Sequence, residues 1–258
     1  TGTAAGNYSL SSVGTTTADV AKADATVSVS GYSGTYDAAA HGATGTATGI
    51  GGVDLIAGLT LGTTFTNVSG GTADWTFTDS TGNYNDQSGS VAISITALEI
   101  TGSFTAANKT YDGSAAATVQ SRTLAGVLAG DAGGVSLSGG SATFDTANAG
   151  NGKTVTLTGA TLTGTAAGNY SLSSVGTTTA NIAALGITGS FTVANKTYDG
   201  SSAATVQSQT LAGVLGGDAG SVSLSGGTAA FNTAAAGNGK TVTLTGRRSP
   251  GRRRATTA

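Results

Sequence analysis

The chain has 258 residues, 43 of them glycine, with only 9% charged and 5% aromatic side chains, which excludes both one densely packed aromatic core and an acidic disordered tail. The absence of cysteine excludes a disulfide scaffold and a thiolate metal site, and a single histidine, His41, leaves little for imidazole chemistry. The formal charge of −2 hides an asymmetry: six basic and 13 acidic residues precede Arg247, a charge of −7, which suits neither DNA nor anionic lipid.

No run of 18 apolar residues exists, so membrane insertion by a helix is not expected. No signal peptide is visible and the first residue is Thr1, which predicts a fragment of a longer protein.

In chain order, residues 1–20 are read as the C-terminal remnant of a repeat. "TGTAAGNYSLSSVGTTTADV" (Thr1 to Val20) returns at Thr163 to Ile182 with 2 differences. Residues 21–96 form a module of different sequence with the same landmarks, "TYD" at Thr35 to Asp37 and "GNY" at Gly82 to Tyr84. Residues 97–183 form a complete repeat. Its first 63 residues, Ala97 to Gly159, recur at Ala184 to Gly246 with 10 differences, so 184–246 is the same repeat truncated. It lacks the closing segment equivalent to Ala160–Ala183, which predicts an open sheet edge and the least stable module.

Within the modules, Val27 and Val29, Val91, Ile93 and Ile95, Val135 and Leu137, and Val155 and Leu157 alternate with Ser, Thr, Ala or Gly. Period two predicts strands with one face buried and one solvated by hydroxyls. "YDG", "SGG" and "GNG" supply turns that tolerate positive φ. "TLAGVLAGDAG" (Thr123 to Gly133) reads equally as strand or short helical turn. The expected class is all-β: tandem small antiparallel β-sandwich (Ig-like) modules in an elongated array, with β-grasp-like modules or a β-solenoid as alternatives.

The last twelve residues, "RRSPGRRRATTA" (Arg247 to Ala258), hold five of the six arginines and the only proline. The sister repeat continues here as "ATLTGTAAGNYS" (Ala160 to Ser171). One GC-rich codon choice for those residues, read one base late, spells Arg247 to Ala258 at all twelve positions. Residues 247–258 are therefore expected to be a disordered tail of frameshift origin, whose polyanion binding would be incidental.

"NKTYDG", "LAGVLAGDA", "VSLSGG", "GKTVTLTG" and "AAGNYSLSS" followed by "TTTA" resemble the YDG-type repeats of bacterial filamentous-haemagglutinin-like surface adhesins. "YSGTYDAAAHGATGTATGIGGVDL" with "NYNDQSG" is similar to the MBG-type repeats found beside them. The resemblance implies a secreted or surface-anchored extracellular stalk at the bacterial cell surface, exported by two-partner or related routes. It brings no catalytic residues, cofactor or metal.

Each candidate site competes with ordinary structure. "AGNGKT" (Ala149 to Thr154, Ala236 to Thr241) lacks the first glycine of a phosphate loop and precedes a strand pattern, which predicts a turn with a solvated lysine. Asp54, Asp74, Asp79 and Asp86 lack the spacing of a calcium loop, and only convergence in space would make them a metal site. Asp112 and Asp199 are read as turn residues, Tyr36, Tyr111 and Tyr198 as core aromatics, Trp75 as a core anchor and His41 as a loop residue. "NKT", "NYS" and "NVS" match the acceptor pattern for N-glycosylation, which by itself is a weak signal in bacteria.

The expected function is a non-catalytic stalk or spacer, not an enzyme, with neighbouring repeats of the same polypeptide as partners. The alternative is a glycan- or host-protein-binding module acting through loops of 21–96, with an exposed Trp75 as its platform. Because residues 1–20 duplicate the segment that 184–246 lacks, head-to-tail self-association by strand addition is also expected.

Overall fold

The computed structural model describes residues 1–246, so the expectation for residues 247–258 lies outside the described residues. Its regular structure is strand, and the only helical pieces among the described residues are three-residue 3-10 turns. The chain divides into two compact units: Thr1–Ile100 with Gly126–Val135 and Leu162–Ser171, and Thr101–Ala125 with Ser136–Thr161 and the residues from Leu172 on.

In the first unit, residues 1–20 form no strand, and Tyr8, Leu10, Val13 and Val20 stand exposed. Six strands come next: β1 (Thr26–Ser30), β2 (Tyr32–Thr35), β3 (Thr44–Thr48), β4 (Leu59–Thr60), β5 (Ser69–Phe77) and β6 (Gln87–Thr96). β1 and β3 pair antiparallel, and the other four make a sheet in the order β2-β6-β5-β4. The β5–β6 hairpin runs from Ser69 opposite Ile95 to Phe77 opposite Gln87. Along β6, Ile93 and Ile95 are buried while Ser90, Ser94 and Thr96 face solvent, the alternation seen in the sequence. Ala25, Ala47 and Phe77 form a small core with Val27, Leu55, Leu59, Trp75 and Tyr84 packed around it.

The second unit holds most of two sister repeats. The strands of the complete one are β7 (Leu98–Ala106), β8 (Lys109–Thr110), β9 (Ala116–Ala117), β10 (Val119–Ala125), β11 (Ser136–Phe144), β12 (Gly150–Thr163), β13 (Tyr170–Val175) and β14 (Thr178–Ala183). They form one sheet in the order β10-β7-β13 and another in the order β8-β14-β12-β11-β9. Phe104 from the first sheet meets Phe144, Val155, Leu157 and Ile182 from the second in one buried cluster, with Val119 and Val175 against it. On the outer face of β7, Ser103 and Thr123 hydroxyls lie 2.6 Å apart, as do Thr105 and Ser121. The pairs Ser190–Thr210 and Thr192–Ser208 repeat this in the sister. These are cross-strand polar contacts on a solvated face.

The all-β class holds. The finer Ig-like antiparallel expectation is not established by the pairing, because both complete modules include a parallel pair. β2 runs parallel to β6, with Tyr32 opposite Ile93. β8 runs parallel to β14, with Lys109 opposite Ile182. Each of these short strands leads into "TYD", so the chain passes along its module's last strand just before that turn. The backbone N–H groups of Tyr36 and Tyr111 continue the pairing by donating to Thr96 and Ala183.

The second repeat has only β15 (Thr188–Val193), β16 (Ala203–Ala204), β17 (Val206–Ala212), β18 (Thr228–Phe231) and β19 (Val242–Thr245). Its sheets are β15-β17 and β16-β18-β19. Among the described residues, nothing takes the places that β13 and β14 occupy in the sister. The ambiguous stretch Thr123–Gly133 proves to be both things: the end of β10, then a 3-10 turn at Ala129–Asp131.

Candidate module junctions

Each "TYD" builds the same turn. The aspartate side chain accepts the backbone N–H two residues on, Ala39 to Asp37, Ser114 to Asp112 and Ser201 to Asp199, each at 2.9 Å. This is an Asx turn, formed here with a left-handed residue after the aspartate. Gly113 and Gly200 supply it with φ of 81° and 78°, while in the first module Ala38 takes φ 65°. A cation braces two of the turns, Lys109 on Asp112 at 2.7 Å and Lys196 on Asp199 at 2.8 Å. His41 Nε2 lies 2.9 Å from Asp37 in the first, its ring stacked on Tyr32 with centroids 3.8 Å apart. These partners, and after them the backbone N–H bonds, hold all three carboxyls below the usual carboxylate range.

The turn aims the preceding tyrosine at an aspartate of the following repeat. In the first unit, Tyr36 Oη donates to Asp131 Oδ2 at 2.8 Å, and Tyr170 Oη donates to the same oxygen at 2.7 Å. The two rings meet edge-to-face, with centroids 5.5 Å apart and planes at 76°. Leu128 N–H donates to Tyr170 Oη, and Asp131 sits on the 3-10 turn Ala129–Asp131, closed by its own N–H on Leu128. Buried Asn169 adds a second link, accepting Val68 N–H at 3.0 Å and donating to Asn67 Oδ1 at 3.1 Å.

Burial and then the Asp131 carboxylate push the Tyr170 phenol up to about 12, and the same causes in the same order raise Tyr36. Ionising either would place a second negative charge beside Asp131. In the second unit, Tyr111 Oη donates to Asp218 Oδ2 at 2.8 Å, again onto a 3-10 turn, Gly216–Asp218. The bond to Asp218, ahead of burial, raises the Tyr111 phenol. The same pair of side chains thus recurs one repeat on.

The expectation of three core aromatics holds for Tyr36, is met in part by half-buried Tyr111, and is corrected for Tyr198, which is 66% exposed. Tyr198 has neither a closing strand beside it nor a following repeat's aspartate among the described residues. The aspartate partner is invisible to local pattern because it lies 95 residues from Tyr36 in a segment that reads as a turn.

The other candidates fall elsewhere. "GNGKT" begins β12, and Lys153 bonds Asp145 at 2.7 Å and Thr146 Oγ1 at 2.6 Å instead of standing solvated. The sequence leaves this lysine unpartnered because Asp145 lies across the turn from it. Asp54 accepts Ile56 N–H, Asp74 is exposed on β5, and Asp79 binds Thr81, Asn83 and Tyr84. No group of three or more His, Cys, Asp or Glu positioned to hold a metal is found among the described residues. Trp75 is partly buried against the first core, its indole across Gly89, where a Cβ would meet it at 2.7 Å.

Fold and junctions define an all-β tandem-repeat protein whose modules are linked by a recurring tyrosine–aspartate bond. Comparison with known families finds the YDG domain at residues 95–180 and again at 183–252. These matches cover more than half of the chain, and the chain belongs to the YDG domain family. The wider resemblance is corrected: the matches support the YDG domain alone, so membership of the YDG- and MBG-type repeats of filamentous-haemagglutinin-like bacterial adhesins is unsupported. No curated protein and no solved structure matches the chain.

Proposed function

We propose that this chain is a non-catalytic structural spacer made of tandem modules. The observation that carries the reading is the repeated junction: Tyr36 on Asp131 and Tyr111 on Asp218, both at 2.8 Å, built from the same turn and the same acceptor position. A contact that recurs with the repeat serves the linkage of modules, and its groups are used up in that linkage. The partly buried Trp75, packed on Gly89, favours this role over glycan binding by an exposed indole.

Single-molecule pulling tests it. A load-bearing spacer unfolds in separate steps, each releasing about 30 nm for a module of some 87 residues at roughly 3.5 Å per residue. One unfolding event at negligible force, without module-sized steps, would oppose the reading.

A further inference from the structure

The second repeat of the second unit has a groove of about 510 Å³. Its walls include Val193, Lys196, Tyr198, Phe231, Lys240 and Val242. These correspond to residues that flank β14 in the sister repeat. There, β14 lies between β12 and β8, with Gly150 opposite Ile182, Lys153 opposite Ala180, Val155 opposite Thr178 and Ile182 also opposite Lys109. In the second repeat, Gly237–Thr241 and Lys196–Thr197 are not in strands at all. Phe104, Phe144 and Val155 are buried, whereas their counterparts Phe191, Phe231 and Val242 are only half-covered. Among the described residues no strand occupies this groove, which stands where β14 lies in the sister, and a half-exposed core lines it.

The chain carries that strand a second time. Thr1–Val20 matches Thr163–Ile182, including both β13 (Tyr170–Val175) and the first five residues of β14. The same side chains meet opposite fates in the two copies. Ile182 is 1% exposed and its counterpart Val20 98%; Tyr170 is 6% exposed and its counterpart Tyr8 82%. A segment whose near-copy closes the sister repeat is thus held in solvent with Tyr8, Leu10, Val13 and Val20 exposed, and burying those side chains favours association.

We propose that Thr1–Val20 of one copy of this chain adds as strands to the open repeat of a second copy, joining molecules head to tail. The sister's register fixes the seating: Thr16 opposite Val242, Ala18 opposite Lys240, and Val20 opposite Gly237 on one side and Lys196 on the other. Tyr8 then faces Asp218 as Tyr170 faces Asp131, completing the junction that Tyr111 half-makes. The interface is heterologous, so each added copy presents a new open seat and chains grow.

Sedimentation velocity of the 258-residue chain over a range of concentrations, beside Val20→Asp, tests this. Val20 lies outside every strand, so the substitution leaves each module's own packing untouched. The parent chain should form dimers and longer species as concentration rises, and V20D should stay monomeric. The chain has no cysteine, so Ala18→Cys combined with Lys240→Cys should give a ladder of disulfide-linked oligomers on a non-reducing gel. A parent chain that is monomeric throughout, association equal in V20D, or a cysteine pair closing within one chain would overturn the proposal.

Discussion

Tyr36 donates its phenol proton to Asp131 at 2.8 Å across 95 residues of chain, and Asp131 takes a second phenol, that of Tyr170, on the same oxygen. One carboxylate thereby joins a turn of one module to a turn and a strand of the next. The geometry favours the neutral form of both buried phenols, which share that one oxygen.

Replacing Tyr36 by Phe removes one charge-assisted bond without leaving a void. Such bonds contribute about 1.5–3 kcal/mol, and Asp131 keeps Tyr170, so a loss near the lower bound, about 1.5 kcal/mol, is expected in urea denaturation. Tyr111→Phe should lower stability by less, because that phenol is half-exposed. Tyr198→Phe should leave the midpoint unchanged, because its ring stands in solvent.

The junction should fail in alkali. The Tyr170 phenol is raised to about 12 from an ordinary value of 10.0, so the folded chain holds its proton more tightly than the unfolded one. Its contribution is complete below pH 10 and lost as pH climbs through 12. Asp79 works at the other end of the scale. Its carboxyl, led by the Thr81 hydroxyl bond, is lowered from 3.8 to about 2, so its contribution is complete above pH 4 and lost as pH falls through 2. Thermal melts across both limits should show Tyr170→Phe flattening the alkaline decline and Asp79→Asn the acid one.

Much of this was legible in the sequence for a simple reason: two near-identical repeats show which parts recur. Strand alternation around Ile93, Val155 and Leu157, the Asx turns at Asp112 and Asp199, and the missing closing strand all emerge from local pattern or from alignment of the chain with itself. The illegible remainder depends on distant chain. β8 is two residues long, too short to show a period, and exists because Ile182 and Ala183 lie beside it. Tyr198 reads like Tyr111, yet its burial would require a closing strand and a further repeat beyond its own turn.

The "TYD" turn of the first module breaks the rule its sisters keep. Ala38 holds φ 65° where Gly113 and Gly200 stand, at a cost of about 1–2 kcal/mol for a residue with a Cβ. Ala38→Gly relieves that strain but adds freedom to the unfolded chain, so a net gain of roughly 0.5 kcal/mol is expected. Gly113→Ala should cost about 1 kcal/mol. A Cβ there would meet Leu215 at an ordinary 3.5 Å, so the penalty is one of backbone and not of packing. Calorimetric midpoints moving in opposite directions would establish the pair.

Amide hydrogen exchange should separate the sister repeats residue by residue. Gly150–Val155 are paired with β14, whereas the counterparts Gly237–Val242 have no strand on that side among the described residues. Without it, local opening no longer has to strip Ile182 from a closed core. In monomeric V20D, Gly237–Val242 should exchange at least about tenfold faster than Gly150–Val155, the factor that about 1.4 kcal/mol of local stability supplies. Adding a peptide of Thr163–Ala183 in excess should slow exchange at Gly237–Val242 and leave Gly150–Val155 unchanged, because among the described residues the second repeat lacks the strand that the first already holds. Equal rates in the two segments would mean that the second repeat is closed by something other than strand pairing.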